Sequence, residues 1–132
     1  MDITYKINTK LDAKDISFVF KESGIKRPYS DLERLERMFN NSNLIISAWE
    51  GEKLVGLARS ITDFSYCCYL SDLAVVLEYQ NKGIGKELID LTKKNIGEEV
   101  ALILLASPKA MDYYPHIGFK KLDNAFRIPR TK

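Results

Sequence analysis

The chain has 132 residues, 45% of them hydrophobic and 29% charged, with a formal net charge of +2. That is one domain (1–132) with an ordinary globular balance and enough length for a core. The charge is too small and too dispersed to imply nucleic acid, and no apolar run approaches the roughly 20 residues of a membrane span.

The start, Met1-Asp2-Ile3-Thr4-Tyr5-Lys6, has no basic segment leading into an apolar block, so a cytoplasmic protein is expected. Residues 3–7 alternate apolar and polar and predict a first strand. Asp12 is a good N-cap for a helix running to about Ser23, with Leu11 and Ile16 placed as a hydrophobic staple and Gly24 as its stop. Ile16, Val19 and Phe20 make its inward stripe. Residues 24–29 form a loop broken by Pro28. Ser30 and Glu33 predict a capping box for a second helix whose buried face is Leu32, Leu35, Met38 and Phe39.

Three antiparallel strands are then expected at residues 44–49, 53–62 and 66–76, joined by turns at 50–52 and 63–65. Cys67 and Cys68 are neighbours on the last of these. They point to opposite faces and are expected to be reduced, mostly buried thiols. With His116 as the sole histidine, no metal site is expected. A helix is predicted from Gly83 to about Asn95, with Gly97 stopping it. Residues 100–106 form a continuous apolar run that suits a strand buried on both faces. A helix separates it from the fourth strand, so the two should be parallel. Pro108 opens a short helix over 109–116, residues 118–122 begin a sixth strand, and 125–132 are expected as an edge strand ending at Pro129.

The fourth strand runs into Gln80-Asn81-Lys82-Gly83-Ile84-Gly85-Lys86 and then into a helix. A glycine-bearing loop at a helix start aims free N–H groups at one point and binds anions, phosphate above all. Gly83 and Gly85 remove Cβ atoms that would hold a phosphate off, Lys82 and Lys86 add positive charge, and the amide of Gln80 can donate. No Gly-Lys-Ser/Thr ending follows, so a nucleoside-triphosphate loop is not expected. The third glycine of the dinucleotide fingerprint is Leu88 here.

The pattern Gln80-x-x-Gly83-x-Gly85 resembles the pyrophosphate loop of GCN5-related N-acetyltransferases, the GNAT superfamily. A second segment, Ala110-Met111-Asp112-Tyr113-Tyr114-Pro115-His116-Ile117-Gly118-Phe119, resembles that family's Ala-x-x-Phe-Tyr-x-x-x-Gly-Phe stretch. The predicted element order is also the family's. The resemblance implies an α/β fold: a mixed, mostly antiparallel sheet of six or seven strands, helices on both faces, and the fourth and fifth strands parallel and splayed. It implies an enzyme that moves an acetyl group from acetyl-CoA to a primary amine, in a small molecule, polyamine or protein, by direct attack in a ternary complex. The alternative is a non-catalytic acyl-CoA sensor. No metal, nucleic acid or membrane is implied, and a homodimer is plausible.

By the same resemblance the pantetheine arm pairs along the fourth strand at Leu73, Ala74 and Val75. The pyrophosphate meets Gln80, Asn81, Lys82, Gly83, Ile84, Gly85 and Lys86. An N–H near Val75 polarises the thioester. Tyr114 touches the coenzyme and is the acid that protonates the departing thiolate. Asp72 is the first choice of base, with ordered water or a structural role for Asp72 as alternatives. Arg27 and Tyr29 border the acceptor pocket. Two positions depart from the family pattern: Leu77 stands where proline is common, and Ser107 where an asparagine contacts the coenzyme.

Overall fold

A computed structural model describes residues 1–132. Its elements, in chain order, are β1 (Thr4–Ile7), α1 (Ala13–Ser23), α2 (Leu32–Asn40), β2 (Leu44–Glu50), β3 (Lys53–Thr62), β4 (Cys67–Val75), α3 (Ile84–Ile96), β5 (Ala101–Ile103) and α4 (Tyr113–His116). Single 3-10 turns stand at Leu77–Tyr79 and Pro108–Ala110.

The five strands lie in sequence order in one sheet. β1 to β4 are antiparallel, and β4 and β5 are parallel, as the intervening helix requires. β2 and β3 are buried along nearly their whole lengths, because helices cover both sides of the sheet. α1 lies against β3 and β4 and holds α2 beside it, and α3 covers β2, β3 and β4. α3 comes down close over Gly56. A Cβ there would sit 3.4 Å from Leu88 Cδ1 and 3.3 Å from the Ala74 carbonyl, so a larger residue would lift the helix off the sheet. Phe20, Ile16, Leu35, Ile46, Leu57 and Leu88 fill the centre. α1 begins as expected, Asp12 accepting from Lys14 N–H at 2.8 Å, with Gly24 left-handed at its end.

Four expectations change. α2 is capped by Asp31, which accepts from Arg34 N–H at 3.1 Å, so the helix starts one residue after the predicted Ser30 box and leaves Leu32 38% exposed. The sheet has five strands rather than six or seven. Residues 118–122 and 125–132 lie in no strand, because no neighbour takes up their backbone groups, and apolar alternation alone does not make a strand. For the same reason the run at 100–106 is not a strand buried on both faces. Only Ala101–Ile103 pairs, its outer edge is unpaired, and Ile103 and Leu105 are 40% and 54% exposed. Cys67 and Cys68 lie on opposite faces as predicted, but only Cys68 is buried; Cys67 is exposed, because the start of β4 is covered on one face alone. No helix is long and apolar enough to cross a membrane.

Candidate active site

β4 and β5 pair only from Cys67↔Ala101 to Tyr69↔Ile103. Beyond Tyr69 the strands part, and β4 continues alone on that side to Val75. Val76 N–H donates to Val55 O on β3 at 2.9 Å, and peptide groups alternate along a strand. The N–H and C=O of Val75 and Leu73 therefore face the gap. Ala74 pairs with Leu57 on β3 and its side chain is buried, so of the three expected contacts it alone turns away from the gap.

The gap ends at the glycine loop. Asn81 (φ +63°) and Gly83 (φ +84°) are left-handed, which coils the chain tightly before α3. The first of these amides to find an acceptor within the helix is Glu87 N–H, on Gly83 O at 3.0 Å; those of residues 81–86 have no protein acceptor. Six successive free amides at the positive end of a 13-residue helix make a concentrated anion site. The Ile84 side chain is in the core, so Ile84 offers only its amide.

Two side chains expected to meet the anion are otherwise engaged. Gln80 Nε2 donates to Val75 O at 2.8 Å and to Ser23 O at 3.3 Å. Gln80 thus holds the loop in place rather than offering its amide to a phosphate. Lys86 Nζ is 2.7 Å from Asp90 on the next turn, an exposed pair of small energetic weight. Lys82 is exposed and has no ion-pair partner. Ser107 is exposed past the end of β5, and its hydroxyl bonds nothing in the protein.

The two tyrosines of α4 divide. A Cβ on Gly85 would lie 3.6 Å from Tyr113 Oη and 3.9 Å from Val75 Cγ2, so the Tyr113 phenol stands at the loop itself. Tyr114 is half-buried, edge-on to Tyr113 and Phe119 at ring separations of 5.3 and 5.4 Å. It lines a groove of about 900 Å³ between β5 and the C-terminal segment, with Leu104, Met111 and Phe126. Burial, and then the neighbouring Tyr113, raises the Tyr114 phenol above its usual value of 10.0, so it keeps its proton at neutral pH.

Asp72 is wholly buried near the middle of β4. One carboxylate oxygen takes Arg27 Nε and the other takes Arg59 Nε, both at 2.5 Å. Arg59 reaches on to Ser42 Oγ at 3.0 Å and Ser71 Oγ at 2.9 Å. Arg27 donates to Ser71 O and Lys26 O, each at 2.7 Å. A carboxylate with both oxygens held by guanidinium groups and no water access is placed as an anchor, not as a base. It ties the loop after α1 to β4 at its bulge, where Ser71 is the extra residue between the Arg59↔Asp72 and Ser60↔Leu70 pairs. Tyr29, beside Arg27, is 40% exposed, and its carbonyl accepts from Ser17 Oγ at 2.5 Å.

A family described as "Acetyltransferase (GNAT) domain" matches residues 18–128. The chain belongs to the GNAT acetyltransferase family. Among relatives, it is 32% identical over 74 residues to GCN5-related N-acetyltransferase 2, chloroplastic, of Arabidopsis thaliana, a match over 52% of this chain and 28% of that protein. It thus spans well under half the length of that relative. Among solved structures, a GNAT-family acetyltransferase from Streptococcus pneumoniae superposes with a TM-score of 0.75 at 26% identity, over 98% of this chain and 99% of that one. An aminoglycoside N-acetyltransferase solved in complex with CoA superposes with a TM-score of 0.74 at 14% identity, over 99% and 96% of the two chains, a likeness of fold.

Within this GNAT chain two residues that shape the candidate site are not marked by the sequence. Tyr113 was visible only as one of an aromatic pair, and nothing local marks it as the member that reaches the loop. Arg59 looked like an ordinary residue of a buried strand. The one signal was its charge, since an arginine inside an apolar run calls for a buried partner.

Proposed function

We propose that this protein transfers an acetyl group from acetyl-CoA to a primary amine by direct attack in a ternary complex. The observation that carries this reading is one continuous feature: a strand edge on which the N–H of Val75 and both peptide groups of Leu73 face the gap unpaired, ending at six free amides. The amides suit the diphosphate of CoA, and the open edge suits the two amides of its pantetheine arm, which binds as an added strand. Nucleotides without such an arm leave that edge unused. The CoA carried by the aminoglycoside acetyltransferase of similar fold supports the same ligand.

Every chemical role falls to a group already described. The amine nitrogen attacks the thioester carbon, the C–S bond breaks, and the thiolate takes the proton of Tyr114. The amine gives its proton to water, since neither oxygen of Asp72 is free. Val75 stands beside Gly85 at the loop end of the gap, so the amide that polarises the thioester lies further along β4, toward the bulge at Ser71. Arg27 and Tyr29 border the acceptor. We also propose a homodimer through the C-terminal segment, where Phe126 and Ile128 are each 97% exposed. Sedimentation at micromolar concentration tests it.

The decisive assay mixes the protein with acetyl-CoA and a panel of amines and follows free thiol. Release that depends on both substrates is expected. Tight CoA binding without turnover on any amine would leave a coenzyme sensor instead.

A further inference from the structure

We propose that the accepted amine also carries a carboxylate, held by Arg27. This rests on the acetyl-transfer reading and names its acceptor class.

The geometry first places the reacting carbon. The glycine loop abuts Val75, whose Cγ2 is 3.9 Å from the Cβ position of Gly85. From Val75 to Ser71 the strand covers about 13 Å, roughly the reach of an extended arm with two amide units. The thioester then arrives at the bulge, where Arg27 Nη2 donates to Ser71 O at 2.7 Å.

Charge decides what is welcome there. Two guanidinium groups share the single carboxylate of Asp72, which leaves one positive charge over. The Arg59 side chain is 8% exposed and that of Arg27 is 28% exposed, so Arg27 presents the excess. Three of its five N–H groups are spent on Asp72, Lys26 O and Ser71 O. One N–H remains on each terminal nitrogen, and a planar guanidinium matches a carboxylate in shape. The Asp72 contact keeps that guanidinium from swinging. Lys26 is exposed next to it, and Arg34 stands in the first turn of α2. Of the nearby acids, Asp31 is used as the α2 cap, and Glu33 is exposed in the same first turn. An acceptor bearing several ammonium groups would bring like charge to this place, where it is repelled.

The test uses matched amines in the thiol-release assay: lysine against cadaverine, and a dipeptide against its C-terminal amide, with spermidine and an aminoglycoside as polycations. The carboxylate-bearing member of each pair is expected to have a kcat/KM roughly tenfold higher, the scale of one charge-assisted contact. Arg27→Gln should erase the preference. Arg27→Lys keeps a cation beside Asp72, guards against loss of fold, and should retain part of it. Equal rates within the pairs, or faster turnover of the polycations, would overturn the proposal while leaving acetyl transfer intact. No thiol release from any amine, with CoA binding followed by calorimetry, would overturn acetyl transfer and this proposal with it.

Discussion

Arg59 Nε and Asp72 Oδ2 meet at 2.5 Å across the β3–β4 ladder, and Arg27 closes on the other oxygen from a loop 45 residues away. Removing the carboxylate strands two cations, one of them deep in the core. Asp72→Asn should therefore cost about 3–5 kcal/mol, a fall of roughly 10 °C or more in Tm. Thermal melts check this. If Asp72→Asn melted like the wild type and only lost turnover, the carboxylate would be a base after all.

The tyrosines should separate kinetically. Tyr113→Phe removes a hydroxyl from the loop and should raise the KM for acetyl-CoA about fivefold, the worth of one hydrogen bond of about 1 kcal/mol, with little change in kcat. Tyr114→Phe should instead lower kcat. Because burial holds the Tyr114 phenol above 10.0, the wild-type kcat should show no alkaline fall below that pH. Steady-state kinetics of both variants across pH decide the assignment.

The two loop glycines have different reasons to be glycine. Gly83 has φ +84° with open space around it, so Gly83→Ala pays only for the left-handed backbone, about 1–2 kcal/mol. Gly85 has an ordinary φ, and its added methyl would meet Tyr113 Oη at 3.6 Å. Gly85→Ala should melt near the wild type. Denaturant titration of the pair reads the difference.

Asp63 accepts backbone N–H groups from Ser65, Tyr66 and Cys67 at 2.9, 2.7 and 3.0 Å. These amides lower its pKa from 3.8 to about 2. A lowered folded value means the turn is stabilised above pH 3.8, and that support disappears as pH falls toward 2. Carboxyl chemical shifts should give a midpoint near 2 for Asp63, and Asp63→Asn should make the β3–β4 turn insensitive to acid over that window.

Local signals carried the glycine loop, a short run whose composition dictates its backbone, while the parting of the strands and the α4 segment were legible only through the family resemblance. The Asp72 cluster was illegible because its partners lie 13 and 45 residues away, and only the tertiary fold joins them. Tyr113 and Tyr114 are about 100° apart on one helical turn, and only the path of the chain decides which faces the loop. The tail misled for a related reason. Residues 118–132 have strand-like composition, but a strand also needs a partner, and sequence does not supply one.

Gln80 has one further effect. Its amide spans Val75 O and Ser23 O, so the same side chain ties the glycine loop to the end of β4 and to the last residue of α1, just ahead of the loop that carries Arg27. On the proposed acetyl transfer, filling the glycine loop should steady the Arg27 loop, and the expected order is acetyl-CoA before amine, with CoA the last to leave. Product-inhibition patterns would then be competitive for CoA against acetyl-CoA, and Gln80→Ala would make the order random.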